Sequence, residues 1–271
     1  MFRGFHSSVK GASHIEKGTE CQDASLHYCG DTFAVAVVSD GHGSKKHFRS
    51  ADGSKIAVKI AKEAIAELIY KEEYTELLFK DHDKYLKQLE ANIIYRWNEA
   101  VRKHFTENPI RENPTGENIF SGVEEKEDLE KKVRVMYGAT LIAAVMTEKY
   151  WFAVQIGDGA CVTVTDGENA GILIPEDDRL MFGFTTSLCD ADANENFRHY
   201  FGGSMPKAII LSTDGVADSF TPEGFLKFTV KSINLFISQE NALEELEKFL
   251  PELSAKGSKD DVSIAGIYYV G

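Results

Sequence analysis

The sequence predicts an α+β layered sandwich of antiparallel strands covered by paired helices, and three observations carry that prediction. Apolar runs of strand length crowd the second half of the chain, at Gly138 to Met146, Tyr150 to Gly159, Cys161 to Val164, Ala208 to Gly215 and Asp261 to Val270. Most are joined by short links, which suit antiparallel pairs, because parallel pairing needs a crossover of about a dozen residues or more. Two long amphipathic segments follow one another directly, so helices and strands are grouped apart instead of alternating as βαβ units. A chain of 271 residues, 43% of them hydrophobic, can bury a large core, and one domain over 1–271 is expected.

Taken in order, the elements begin with "FAVAVVSDGHGSKK". Phe33 to Val38 reads as a buried strand that ends at Ser39 and then at a carboxylate, Asp40. Asp52-Gly53 reads as a polar cap before a helix from Ser54 to Lys71, whose Ile56, Ile60, Ala64, Ile65, Leu68 and Ile69 share one face. A second helix runs from about Asp83 to Phe105, with Leu86, Leu89, Ile93, Trp97, Val101 and Phe105 recurring every three or four residues. Residues 107–132, rich in Pro, Gly and charge with little periodicity, read as a mobile surface insertion. After the central strands, Asp166-Gly167 reads as an ordinary hairpin turn. The segment 177–206, with "MFGFTTS" and "FGGSM", reads as a mobile flap. A helix over Asn241 to Leu250 precedes the last strand.

Composition excludes several functions. With 43 acidic against 30 basic residues and a net charge of −13, a nucleic-acid surface is not expected, since phosphate backbones are held by clustered Lys and Arg. Excess acid instead suits a protein of divalent metals. Cys21, Cys29, Cys161 and Cys189 form no CxxC pair, and reduced thiols in the cytoplasm are their simplest account. The chain shows no 18-residue apolar run and no cleavable leader, so neither export nor a membrane partner is expected.

The carboxylate at the end of the first strand needs compensation, because a charge at the mouth of a core strand is costly unless hydrogen-bonded, paired or bound to a cation. A lone Asp-Gly is more often a turn than a ligand. Here three copies end apolar runs: "AVVSDG" at Asp40, "AVQIGDG" at Asp158 and "IILSTDG" at Asp214. Asp260, before the last strand, and Asp23, in "ECQDAS", add further acids. Strands that end at one rim bring such groups together, and like charges that close repel unless a cation neutralises them. Ligation by Asp oxygens selects hard ions, Mg²⁺ or Mn²⁺. The carbonyl of Gly41 is free to turn toward a metal beside Asp40.

"DGHG" at Asp40 to Gly43, "GATL" at Gly138 to Leu141, "IGDG" at Ile156 to Gly159, "STDGV" at Ser212 to Val216 and "KDDVSI" at Lys259 to Ile264 stand in the order found in a known family. The chain resembles the metal-dependent serine/threonine protein phosphatases, the type 2C or PPM class, over about Ser7 to Val270. It is similar to the compact bacterial branch, which also has Gly-x-x-His ahead of Gln-Asp, as in "GASHIEKGTECQDA". The resemblance implies a four-layer αββα sandwich and hydrolysis of phosphoserine or phosphothreonine in proteins, with Mn²⁺ or Mg²⁺ as two ions and a third, weaker site. It implies metal ligation by Asp40, the Gly41 carbonyl, Asp214 and Asp260, with Asp261 at a place where the family often has Asn. Asp158 resembles the ligand of the third ion. Gln22 and Asp23 resemble the pair that orients the metal-bound waters, and His42 the general acid that protonates the leaving oxygen.

One departure stands out. Many members carry an Arg four residues before the Glu-Asp pair to grip phosphate, and here that place is Gly18, with His14 and Lys17 as the nearest replacements. His6, His27, His47, His82, His104 and His199 have no comparable setting. Cys189 lacks the Cys-x5-Arg loop of a nucleophilic thiol. The implied partners are a phosphoprotein and a cognate Ser/Thr kinase or its targets. The alternative function is a catalytically weak phosphoprotein-binding regulator on the same fold.

Overall fold

The strand Phe33–Ser39 is buried at every position, which a sheet covered on one face would not allow. Phe33, Val35 and Val37 join a cluster rich in helical residues, whereas Ala34, Ala36 and Val38 join one built almost wholly from strands and the turns beside them. Since successive side chains point to opposite faces, this sheet must have helices on one side and a second sheet on the other.

The computed structural model describes residues 1–166, 168–175 and 185–270 and shows that arrangement. Its strands are β1 (Phe2–Val9), β2 (Ala24–Cys29), β3 (Phe33–Ser39), β4 (Leu141–Thr147), β5 (Trp151–Ile156), β6 (Ala160–Val164), β7 (Ala170–Ile172), β8 (Arg198–Gly202), β9 (Ala208–Ser212) and β10 (Val262–Tyr269). One sheet has the order β1-β10-β9-β6-β7 and the other β2-β3-β4-β5-β8. All pairings are antiparallel. The helices are α1 (Ala12–Lys17), α2 (Ser50–Ile69), α3 (Glu72–Lys80), α4 (His82–Glu107), α5 (Lys126–Met136), α6 (Ala193–Asn196), α7 (Asp214–Ala217), α8 (Pro222–Ser238) and α9 (Ala242–Lys256). The α2–α4 pair covers the second sheet with Ala57, Ala61, Ile65, Leu86, Ile93 and Trp97. The α8–α9 pair covers the first with Phe225, Ile233, Leu246 and Leu250. The four-layer αββα sandwich is therefore present.

Several elements depart from expectation for identifiable reasons. Helix α2 begins at Ser50, so Asp52-Gly53 lies inside its first turn and the capping position is Arg49. Gly53 is required there by a tertiary contact: a Cβ would stand 1.8 Å from the Tyr137 carbonyl oxygen, and Trp97 Nε1 donates to the Gly53 carbonyl at 3.1 Å. Within the span 107–132, residues 108–125 are loop, but α5 starts at Lys126. Reciprocal bonds between Glu125 and Asp128 cap it, and it buries Val133 and Met136. Part of the expected flap, 177–184, lies outside the described residues. The remainder of 177–206 contains α6 and β8, and β8 is the edge strand that pairs with β5. Helix α8, absent from the sequence reading, begins with Thr221 accepting from Gly224 N and Pro222 in the first turn.

Candidate metal centre and catalytic cleft

Strand direction brings the acids together. In the second sheet β3 and β5 run the same way on either side of β4, as Val38↔Ile142 and Leu141↔Ile156 show. Asp40, just past β3, and Asp158, just past β5, therefore leave the sheet at one edge. In the first sheet the end of β9 faces the starts of β6 and β10, through Ala160↔Ser212 and Ile264↔Ser212. Asp214 follows β9 and Asp260 precedes β10, and Asp158 also precedes β6, so the two sheets share this rim. Asp23 joins them because β2 starts opposite the end of β3, at Ala24↔Ser39.

Oxygens of Asp40, Asp158 and Asp214 lie within 4.8 Å of one another. They face a cleft of about 770 Å³ that is also lined by His14, Lys17, Gln22, Gly41, His42 and Asp260. Asp23 is the one predicted site residue beneath the cleft instead of on its wall, 4% exposed. Its Oδ2 accepts from Thr213 Oγ1 at 2.8 Å. Burial, opposed by that bond and aided by Asp261, pushes its carboxyl up to about 8. Burial, then Asp23, raises Asp40 well above the usual carboxylate range, and burial with Asp40 beside it pushes Asp214 up to about 9. Among the described residues no Lys, Arg or His pairs with Asp40, Asp158 or Asp214. Converging carboxyl oxygens, with burial disfavouring the charged form of Asp23, Asp40 and Asp214, are a donor set that a hard divalent cation satisfies.

The backbone around these acids is tightly set. Asp40 N donates to Thr140 Oγ1 at 3.0 Å and Thr140 N to the Asp40 carbonyl at 2.8 Å. The turn bearing Asp158 needs Gly157 at φ +106, and it is anchored by Arg198 Nη2 donating to the Gly157 carbonyl at 2.6 Å and by Gly157 N donating to Thr186 Oγ1 at 2.9 Å. Asp214 opens α7, where its Oδ1 accepts from Gly215 N at 2.7 Å. Lys259, immediately before Asp260, is the one non-glycine residue among those described with a left-handed backbone, φ 65.

Asp260 and Asp261 differ sharply. The Asp260 side chain is 55% exposed and lines the cleft. Asp261 is buried at 3%, with Oδ1 accepting from Gly11 N and Oδ2 from Gln22 N, each at 2.6 Å. Asp261 thus ties the loop carrying Gln22 to the rim. His14 sits against both: its Nδ1 is 2.9 Å from Asp261 Oδ2, off the line of a hydrogen bond, and its Nε2 is 3.7 Å from Asp260 Oδ1. Gln22 Nε2 donates to Ser50 Oγ at 2.8 Å, which fixes its amide at the start of α2. His42 is held by its N–H to the Gly138 carbonyl at 3.1 Å. Burial, then His47 and Lys46, lower its ring to about 3.

Sequence reasoning missed part of the wall. His47 lies 4.8 Å from His42 between ring centroids, and Lys46, Lys131, Arg134, Ser187 and Asp190 also line the cleft. A cue existed for Lys46, which follows "DGHGSK" directly. None existed for Lys131 and Arg134, which reach the cleft only because α5 packs beside the 3₁₀ turn Lys45–His47.

A family model described as Protein phosphatase 2C matches residues 10–251. No curated protein matches the sequence. Among solved structures, the serine/threonine phosphatase PstP/Ppp of Mycobacterium tuberculosis is similar at 17% identity and TM-score 0.59, covering 100% of this chain and 99% of that one. PppA, described as a regulatory component of T6SS in Pseudomonas aeruginosa, is similar at 14% identity and TM-score 0.59, covering 98% and 97%. A PstP catalytic domain in complex with two manganese ions has 17% identity and TM-score 0.57, covering 100% and 99%.

Proposed function

The chain belongs to the protein phosphatase 2C family and is by that membership a protein serine/threonine phosphatase, and from this premise we propose that it hydrolyses phosphoserine and phosphothreonine at the rim where Asp40, Asp158 and Asp214 converge, with two Mn²⁺ or Mg²⁺ ions held there. The supporting observation is that convergence from separate strands, with no Lys, Arg or His among the described residues in ion-pair contact with the three acids. Asp40, the Gly41 carbonyl, Asp214 and Asp260 would hold the two ions, and Asp158 a third. Held by these residues, such ions would supply charge neutralisation of the phosphoryl oxygens and a lowered pKa for the attacking water. The PstP domain solved with two manganese ions supports Mn²⁺.

The chain's own residues supply the rest. Gln22, its amide fixed on Ser50, and Asp23, fixed by Thr213, orient water at the acidic rim. His42 donates to the departing seryl or threonyl oxygen. Its low proton affinity means that it is neutral in the free cleft, and an arriving phosphate dianion favours its charged form, so the proton is gained with the substrate. Of the two cations nearest the missing arginine, His14 faces two carboxylates, whereas Lys17 is exposed on the cleft wall and makes the better contact for the phosphate. The substrates are phosphoproteins, here assigned as targets of a Ser/Thr kinase. A cytoplasmic setting suits the four free cysteines. No helix among the described residues is long and apolar enough to cross a membrane.

A non-catalytic regulator is not favoured, since the convergence of Asp40, Asp158 and Asp214 supports a working metal centre. Hydrolysis of p-nitrophenyl phosphate and of a phosphothreonine peptide, measured with Mn²⁺ and after EDTA, tests the proposal. Turnover is expected only with metal and is expected to collapse in Asp214→Asn. Full turnover in a metal-free sample would overturn the two-metal reading.

A further inference from the structure

The cleft that holds the acids also holds Lys46, Lys131 and Arg134, a concentration of positive charge in a chain of net charge −13. A neighbouring groove of about 470 Å³ shares Lys46 and Lys131 with the cleft and adds Lys45 and Lys132. Its acids, Glu117 and Asp128, are engaged locally, Glu117 with Asn113 Nδ2 at 2.9 Å and Asp128 with Glu125 N at 3.3 Å. Among the described residues none of Lys45, Lys46, Lys131 and Arg134 pairs with a carboxylate within ion-pair distance, and Arg134 Nε is buried without a hydrogen-bond partner. A second neighbouring groove, past Ala191, shares Lys131 and Arg134 with the cleft but adds Glu99, Glu127 and Glu130 against one further cation, Arg102, which is itself paired with Glu99 and Glu130. Of these two grooves, the one with Lys45, Lys46, Lys131 and Lys132 is the more cationic.

The cationic wall is also coupled to the catalytic loop. Lys45 and Lys46 belong to the 3₁₀ turn after "DGHG", and Lys131, Lys132 and Arg134 to the last turns of α5. His47 Nδ1 bonds the Val135 carbonyl, Arg49 N donates to the Met136 carbonyl at 2.9 Å, and His42 N donates to the Gly138 carbonyl. Cations near a helix C-terminus complement its dipole, but that effect alone does not direct them toward one groove with Lys45 and Lys46.

We propose that this groove binds an anionic stretch of the phosphoprotein, so that the enzyme selects phosphoserine or phosphothreonine flanked by Asp, Glu or a second phosphorylated residue. The inference rests on the phosphatase reading of the cleft and adds its substrate class. The test compares three peptides with the same central phosphothreonine and neutral, acidic or phosphoserine-bearing flanks. The reading is kcat/KM with Mn²⁺, with p-nitrophenyl phosphate as a substrate that has no flanks. Wild type is expected to prefer both anionic peptides by about tenfold at low salt, each exposed cation contributing roughly two- to fivefold. The preference should fall with ionic strength and approach parity in the double variant Lys45→Ala, Lys131→Ala, whose truncated side chains are exposed. Turnover of p-nitrophenyl phosphate without a flank preference, or a preference surviving in the double variant, overturns the groove and leaves the phosphatase reading standing. Absence of all turnover strikes the phosphatase reading instead. Peptide affinities by fluorescence anisotropy in EDTA then decide the groove, with equal binding of neutral and anionic peptides refuting it.

Discussion

Asp260→Asn and Asp261→Asn are isosteric changes one residue apart, and the structure assigns them opposite consequences. In Asp261→Asn, nitrogen replaces one of two oxygens that each accept a backbone N–H at 2.6 Å, from Gly11 and from Gln22. Whichever way the amide turns, one buried N–H loses its acceptor, at about 1–3 kcal/mol, and the surviving bond loses its charge assistance, about 1 kcal/mol more. The total of roughly 2–4 kcal/mol corresponds to a melting temperature lower by about 5–10 °C in a chain of this length. Asp260, 55% exposed and accepting only from Asp261 N at 2.9 Å, should change stability by no more than about 0.5 kcal/mol when substituted. It should instead raise the Mn²⁺ concentration for half-maximal activity at least tenfold, since loss even of an outer hydrogen-bond partner of a metal ligand costs about 10–100-fold. Thermal melts in EDTA and Mn²⁺ titrations of p-nitrophenyl phosphate turnover read the two effects separately. A wild-type melt for Asp261→Asn together with a lost metal response would show that Asp261 is the ligand and that the rim is misread by one residue.

Two further outcomes concern the scaffold. His199 on β8 lies 2.8 Å from Oε1 of the buried Glu90 and 3.1 Å from Asp83, and the bond to Glu90 raises its pKa above the ordinary value. A raised folded-state value means stabilisation that is complete below about pH 6.5 and disappears as pH climbs through the raised value. His199→Gln should therefore melt furthest below wild type near pH 6 and converge with it near pH 9; a gap that widens with pH would contradict this. Gly53→Ala gains about 1 kcal/mol of helix propensity but must move α2 off the Tyr137 carbonyl, 1.8 Å from the new Cβ. A net loss of about 2 kcal/mol or more is expected, read as a melt several degrees lower, and a wild-type melt would show that the helix yields freely.

What the sequence disclosed and what it concealed follow from the range of the interactions. Strands β3, β4 and β9 are buried on both faces, so their apolar runs are continuous, and the ends of β3 and β9 are marked by the Asp that leaves the core. The acidic rim was legible because antiparallel order converts strand ends into neighbours. Strands β1 and β2 were not legible, since β1 mixes buried with exposed positions, β2 is half-buried at every position after Ala24, and they carry His6 and His27. Gly53 looked like a cap because its reason, the Tyr137 backbone, is remote in sequence. Helix α5 was hidden by the loop composition before Glu125, and its stability comes from capping and from Val133 and Met136 against the core.

The cationic groove shows the same limit in its sharpest form. A net charge of −13 argues against a nucleic-acid surface, yet it is an average over a surface on which the local sign can reverse. Lys45 and Lys46 precede α2, while Lys131, Lys132 and Arg134 follow α4, and neither group stands out from the chain's many exposed lysines. Only the contact between the 3₁₀ turn and α5, fixed by His47 to Val135 and Arg49 to Met136, sums them into one field. A field of this kind acts over about 10 Å at ordinary salt, long enough to reach the residues flanking a phosphate already seated on the acidic rim. In the proposed division of labour Lys17 stands beside the phosphate where Gly18 takes the place of an arginine, and α5 brings the positive charge that meets the residues on either side of it.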